Sequence, residues 1–130
     1  NIETVKRLYP KARQMADYNC TLDVLKYVKS KGLIVKTGFM LGLGETLDEI
    51  KELISDLEKA KVDIVTIGQY IQPSKNHLEV EKYYTPEEFN KLAEYVKSNS
   101  NIIPVSHPLA RSSYKAFESY KLALDKMNKN

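Results

Sequence analysis

Three short stretches hold the residues whose chemistry could go beyond structure: "GFMLGLGET" from Gly38, "IGQYIQPSKNH" from Ile67 and "SHPLARSSYKA" from Ser106. In the first, Gly38, Gly42 and Gly44 let the backbone come close to a ligand or a neighbouring strand, and Glu45 stands where the run ends. The run is a poor dinucleotide fingerprint, because Glu45, Thr46 and Leu47 follow Gly42-Leu43-Gly44 where a third glycine is needed. It also lacks the Gly-Lys-Ser/Thr ending of a phosphate loop, so a structural turn and a ligand loop both stay open. The second stretch offers Gln69, Tyr70, Gln72 and Ser74, then His77. Neither His77 nor His107 has a second histidine or a cysteine at ligand spacing, which argues against a zinc site. A hydrolase built from Ser112 or Ser113, His77 or His107, and Asp63 would lack the G-x-S-x-G elbow. In the third stretch, residue types alone let Ser113 cap a final helix while Arg111 pairs with a carboxylate and Tyr114 packs.

The elements that must position these stretches follow from hydrophobic spacing. Leu22, Leu25 and Val28 recur at helical spacing, with Thr21 as a cap and Gly32 as a stop. "LIVKTGFMLGLG" suits a strand buried on both faces. The next helix places Ile50, Leu53, Ile54 and Leu57 on one stripe and opens with a Thr46/Glu49 capping box. "VDIVTIGQYI" is the second strand. Thr85, Pro86 and the acidic residues after them announce another helix, "NIIPVS" a third strand, and "SYKAFESYKLALDKMNK" a closing helix. Strands alternating with helices predict an α/β fold of parallel βαβ units, either a doubly wound sheet or part of a TIM-type β/α barrel. In both, ligands lie at the carboxyl ends of the strands, where the three chemical stretches fall. Few strands with open edges also lead us to expect the isolated chain to aggregate.

Composition narrows the function classes. The 130 residues are 42% hydrophobic and 28% charged, which is globular, and the net charge of +3 comes from lysines scattered among acids. No basic stripe suggests nucleic acid as a partner, and no apolar run approaches the roughly 18 residues of a membrane span. With Cys20 as the single cysteine, this chain alone forms neither an intrachain disulfide nor an all-cysteine metal site. The opening "NIETVKRLYP" has no initiator Met or signal-like core and reads as mid-protein.

Taken in order and at their spacings, "NIETV", "ADY", "GFMLGLGET", "TIGQYIQPSKNHLEV", "YTPEEF" and "RSSYKA" resemble the C-terminal half of the lipoyl synthase family, from Asn1 to about Ala116. The resemblance implies a radical S-adenosylmethionine enzyme, with residues 1–106 as C-terminal βα units of a partial barrel and residues 107–130 as the RSSY segment and helix. It implies insertion of two sulfurs at C6 and C8 of an octanoyl chain on a lysine, carried by a lipoyl carrier domain or H protein. Two 4Fe-4S clusters and S-adenosylmethionine are the implied cofactors. Six cluster cysteines are absent from this chain, so a missing N-terminal half is expected and the chain alone would be inactive. By resemblance, Ser113 would ligate the auxiliary, sulfur-donating cluster, Ser112 being the weaker choice, with Arg111 beside it. Asn1 and Glu3 would hold the ribose hydroxyls and Arg13 the carboxylate end of the cofactor. Gly38, Met40, Gly42 and Glu45 match a G-x-I-x-G-x-x-E pattern with Met40 in place of Ile; Met40, Gly42 and Glu45 would belong to the cofactor site, the backbone and Met40 flanking adenine, and Tyr70 and Gln72 would complete that end. His107 and Lys115 depart from the family's usual glycine and histidine. A biotin synthase-like sulfur-inserting barrel and a non-catalytic βα scaffold are the alternatives. The implied compartment is the cytoplasm, or an organelle matrix in a eukaryote.

Overall fold

A computed structural model describes residues 18–72, 74–76, 78–110 and 122–125. Along the chain run α1 (Tyr18–Ser30), β1 (Lys36–Leu41), α2 (Leu47–Lys59), β2 (Ile64–Gln69), α3 (Pro86–Asn99) and β3 (Ile103–Ser106). The expected order is therefore present, with one correction at the first helix. Thr21 does not cap α1; the helix begins at Tyr18 and Thr21 lies inside it. A capping residue marks a start only when the residues before it refuse the helix, and Tyr18, Asn19 and Cys20 carry no such penalty. Gly32 does end that element: its φ of 77° suits a residue without Cβ.

The other two helices open as their sequences dictate. The Glu49 N–H donates to Thr46 Oγ1 (3.2 Å), and the Thr46 N–H donates to Glu49 Oε1 (2.9 Å). Thr85 and Glu88 make the same reciprocal pair at α3, with Pro86 in the first turn. Of the expected closing helix, residues 122–125 are helical and the rest falls outside the described residues.

The three strands pair in parallel in chain order, β1-β2-β3. The register sets Gly38 against Thr66 and Met40 against Gly68, then Thr66 against Val105. Period-two alternation sorts the side chains. One face presents Phe39, Leu41, Val65 and Ile67 to Leu25 of α1, to Ile50, Leu53, Ile54 and Leu57 of α2, and to Phe89, Leu92 and Val96 of α3. Leu53, Leu57 and Phe89 are fully buried there, each stabilising the fold by about 2 kcal/mol. Ser106 Oγ donates to the Phe89 carbonyl (2.8 Å) and ties β3 to α3. On the opposite face Ile64, Ile103 and Val105 pack with Ala123 of the 122–125 turn and with Ile34. Parallel strands in chain order with all three helices on one side are the arrangement of a segment of TIM-type barrel wall.

Candidate functional site

At the carboxyl ends of the strands the loops after β1, β2 and β3 meet. The loop after β1 turns on two glycines with positive φ, Gly42 at 106° and Gly44 at 103°. This turn folds the chain back over its own carboxylate. Glu45 is only 8% exposed and accepts from the Gly42 N–H (3.0 and 3.1 Å) and the Leu43 N–H (3.2 Å). Backbone N–H dipoles thus stabilise its charge. The hydroxyl of Tyr84 adds a third donor, 3.1 Å from Glu45 Oε2.

Gln69, the last residue of β2, is 4% exposed and continues the parity of Val65 and Ile67. Its Nε2 donates to the Tyr70 carbonyl (3.0 Å) and the Lys82 carbonyl (2.9 Å), and its Oε1 accepts from the Tyr84 N–H (2.9 Å). A Cβ built on Gly42 would lie 2.5 Å from Gln69 Nε2 and 2.6 Å from the Lys82 carbonyl oxygen. The Glu81 N–H donates to the Gly42 carbonyl at 2.7 Å. The end of β2, the glycine turn and the return of the 70–84 segment therefore meet at one buried junction.

Around it the packing is aromatic. Tyr84 meets Phe89 edge to face (centroids 6.2 Å apart), and Lys82 Nζ stands 4.4 Å from the Tyr84 ring centroid. Burial, and then the adjacent Glu45 carboxylate, push the Tyr84 phenol well above its ordinary range, so it stays a donor. Tyr70 donates its N–H to the Leu41 carbonyl (2.8 Å) and its hydroxyl to the Leu78 carbonyl (2.6 Å), and with Leu78 it covers Leu43. After β3, the His107 N–H donates to the Ile67 carbonyl, the Gln69 N–H to the Pro108 carbonyl, and the Leu109 N–H to His107 Nδ1.

The expected site residues fall into three groups. Gly42 and Glu45 are at the junction, with the Gly42 N–H and carbonyl and the Glu45 carboxylate bonded within the chain. Met40 lies on the sheet face opposite the helices, Tyr70 on the loop after β2, and Gln72 two residues further, each half-buried. Asn1, Glu3, Arg13, His77, Arg111, Ser112 and Ser113 lie outside the described residues. Sequence reasoning gave no role to Gln69 or Tyr84. Gln69 was named within the second stretch and carried the signal of a polar side chain at a core-facing parity; Tyr84 opens the "YTPEEF" motif, which said nothing of its contact with Glu45.

Thr66 Oγ1, buried on the same face as Met40, makes no hydrogen bond among the described residues. That orphaned hydroxyl, beside two strand glycines and Met40, fits a flat ligand with polar edges. Iron-sulfur clusters do not fit the described residues: Cys20 is exposed on α1, and no group of three or more His, Cys, Asp or Glu side chains placed for a metal ion occurs among them. No helix among the described residues is long and apolar enough to cross a membrane.

No protein-family model matches the chain. Among solved structures, Streptococcus suis SuiB superposes with a TM-score of 0.55 at 17% identity, over 69% of this chain and 22% of SuiB. The S-adenosylmethionine-bound form of SuiB superposes equally well. These likenesses establish the fold. Among curated proteins, the mitochondrial lipoyl synthase of Caenorhabditis elegans is 53% identical over 123 residues, 92% of this chain and 35% of that protein. The lipoyl synthase of Pyrobaculum aerophilum is 52% identical over 128 residues, 95% of this chain and 44% of that protein. That of Caldicellulosiruptor bescii is 48% identical over 118 residues and 40% of its length. The chain thus spans less than half the length of these relatives, and over about nine tenths of its own length it is about half identical to proteins named lipoyl synthase.

Proposed function

We propose that this chain is the part of a lipoyl synthase that closes the cofactor end of a β/α barrel. The observation that carries the reading is the buried junction of Gly42, Glu45, Gln69 and Tyr84, which holds the two motif-bearing loops together at the strand ends where barrels bind ligands. S-adenosylmethionine, when bound, supplies a hydrogen-abstracting 5′-deoxyadenosyl radical. The chain's own residues do the binding and orienting. Met40 offers an apolar contact for adenine, the Thr66 hydroxyl a polar one on the same face, and Tyr70 and Gln72 the rim after β2. The S-adenosylmethionine-bound SuiB shares this fold, which supports the choice of cofactor.

In this reading the whole protein inserts two sulfurs, at C6 and C8, into the octanoyl chain of an octanoyl-lysine on a lipoyl carrier domain or H protein. Both 4Fe-4S clusters take their cysteines from sequence beyond these 130 residues, since Cys20 is the single cysteine. Asn1, Glu3 and Arg13 belong to the cofactor site, and Ser113, or less favourably Ser112, is the auxiliary-cluster ligand with Arg111 beside it. A serine alkoxide is a harder ligand than thiolate and less well matched to iron.

The test uses the full-length gene product, reconstituted with iron and sulfide and given S-adenosylmethionine, a reductant and an octanoylated carrier. The expected outcome is 5′-deoxyadenosine together with a carrier heavier by two sulfur-for-hydrogen exchanges. Deoxyadenosine with no sulfur on the carrier would overturn the assignment to this substrate. A Ser113→Ala enzyme that still completes both insertions would remove Ser113 from the cluster.

A further inference from the structure

We propose that Gln69 is a positioning residue of this site: its carboxamide sets where the 70–84 segment runs against the Gly42 turn, and thereby where Tyr70 stands relative to the cofactor. The proposal rests on the reading that these strand ends bind S-adenosylmethionine. Gln69 is a fully engaged buried amide. Its three partners are main-chain groups 1, 13 and 15 residues along the chain, so one side chain anchors both the departure and the return of the segment. Two carbonyls on the nitrogen side and one N–H on the oxygen side permit a single orientation of the amide.

Gly42 supports the same conclusion from the other side. The space its missing Cβ leaves is where Gln69 Nε2 and the Lys82 carbonyl sit. The glycine of the first loop thus makes room for the pin of the second. Within the segment, the Tyr70 hydroxyl holds the Leu78 carbonyl at 2.6 Å, so a displaced return limb carries Tyr70 with it. Losing the amide would leave the part-buried Lys82 carbonyl and Tyr84 N–H without this partner, a cost that the segment relieves by moving outward.

The experiment compares Gln69→Met and Gln69→Glu in the full-length gene product. Methionine keeps the volume and loses all three bonds. Glutamate keeps an acceptor for the Tyr84 N–H but sets an oxygen against two carbonyls, and it serves where the methionine variant fails to fold. Hydrogen exchange at the Glu81 and Tyr84 amides is expected to accelerate at least about ten-fold, with the Val35 and Ile64 amides at the far strand ends unchanged. The Kd and KM for S-adenosylmethionine are expected to rise about ten-fold, the scale of one or two lost buried hydrogen bonds, with kcat at saturation within about two-fold. Faster exchange with unchanged cofactor affinity, or a fall in kcat at unchanged KM, would overturn the positioning role. If the unaltered protein binds no S-adenosylmethionine, the functional reading fails first and the cofactor role of Gln69 fails with it; the exchange measurement still reports whether Gln69 holds the segment.

Discussion

At the amino ends of the strands, Asp63 accepts two contacts from Lys29 Nζ, both 2.9 Å, and a third from the Val35 N–H at 2.7 Å. At the carboxyl ends, Glu45 accepts from two backbone N–H groups and a phenol, with no cation bonded to it among the described residues. The Asp63 backbone also bonds Val35 before β1 and Ile103 at the start of β3, so this carboxylate staples α1 and the strand starts into one unit. Glu45 instead bonds a glycine turn and a loop that returns 39 residues later. A lysine partner is sufficient where the task is stability. Where the carboxylate is held by backbone N–H groups and a phenol, the same charge shapes a loop. In barrels, stability concentrates at the amino ends of the strands and chemistry at the carboxyl ends.

The division can be broken experimentally. The largest effect is expected from Gly42→Ala, which combines a forbidden φ with contacts of 2.5 and 2.6 Å: a loss of about 3 kcal/mol in denaturant melts. Asp63→Ala should follow at about 2 kcal/mol, since it strands a half-buried Lys29 and the Val35 N–H. Its S-adenosylmethionine affinity should stay unchanged in a direct titration, and a change there would erase the distinction between the two ends. Tyr84→Phe keeps the ring against Phe89 and removes only the bond to Glu45, for about 1 kcal/mol in the same melts.

Two pH experiments sharpen the comparison. The Tyr84 phenol titrates higher in the folded protein than in the unfolded chain. Above about pH 10 the folded state therefore holds the extra proton, and stability falls as pH rises through the folded value. Melts taken from pH 9 to 11 should show that decline, and Tyr84→Phe should flatten it. The smallest effect belongs to Glu88, whose carboxyl is lowered first by its hydrogen bond from Lys82 and then by the Thr85 N–H. Its contribution is present above the ordinary carboxylate range and fades as pH falls through the folded value. Acid titration of Glu88→Gln should accordingly differ from the parent only at low pH, and only slightly.

Much of the scaffold was legible in local patterns. The Thr46/Glu49 box, the Thr85-Pro86 start and the Ile50, Leu53, Ile54, Leu57 stripe declare themselves within a few residues, because helix caps and helical faces are satisfied by near neighbours. Thr21 misled for the same reason: a local cap signal was outweighed by a helix able to begin three residues earlier. At the strand ends, the motifs fall in loops that meet there, and the contacts of the residues within them were less readable. Gly42 and Glu45 were expected to face a cofactor, and in the fold their polar groups serve the loop itself.

What the sequence determined by itself was the alternation of helices and strands, the placing of three chemical stretches at strand ends, and a resemblance specific enough to name a family. Only the tertiary structure decided that Gln69, Gly42, Tyr84 and Glu45 form one junction. Its bonds join residues 13, 15 and 39 apart, and no periodicity or capping rule reaches that far. The physical reason is burial. Once β1 and β2 pair and α3 packs over them, a glutamine, a tyrosine and a carboxylate are withdrawn from water together, and each must find its partners among the others.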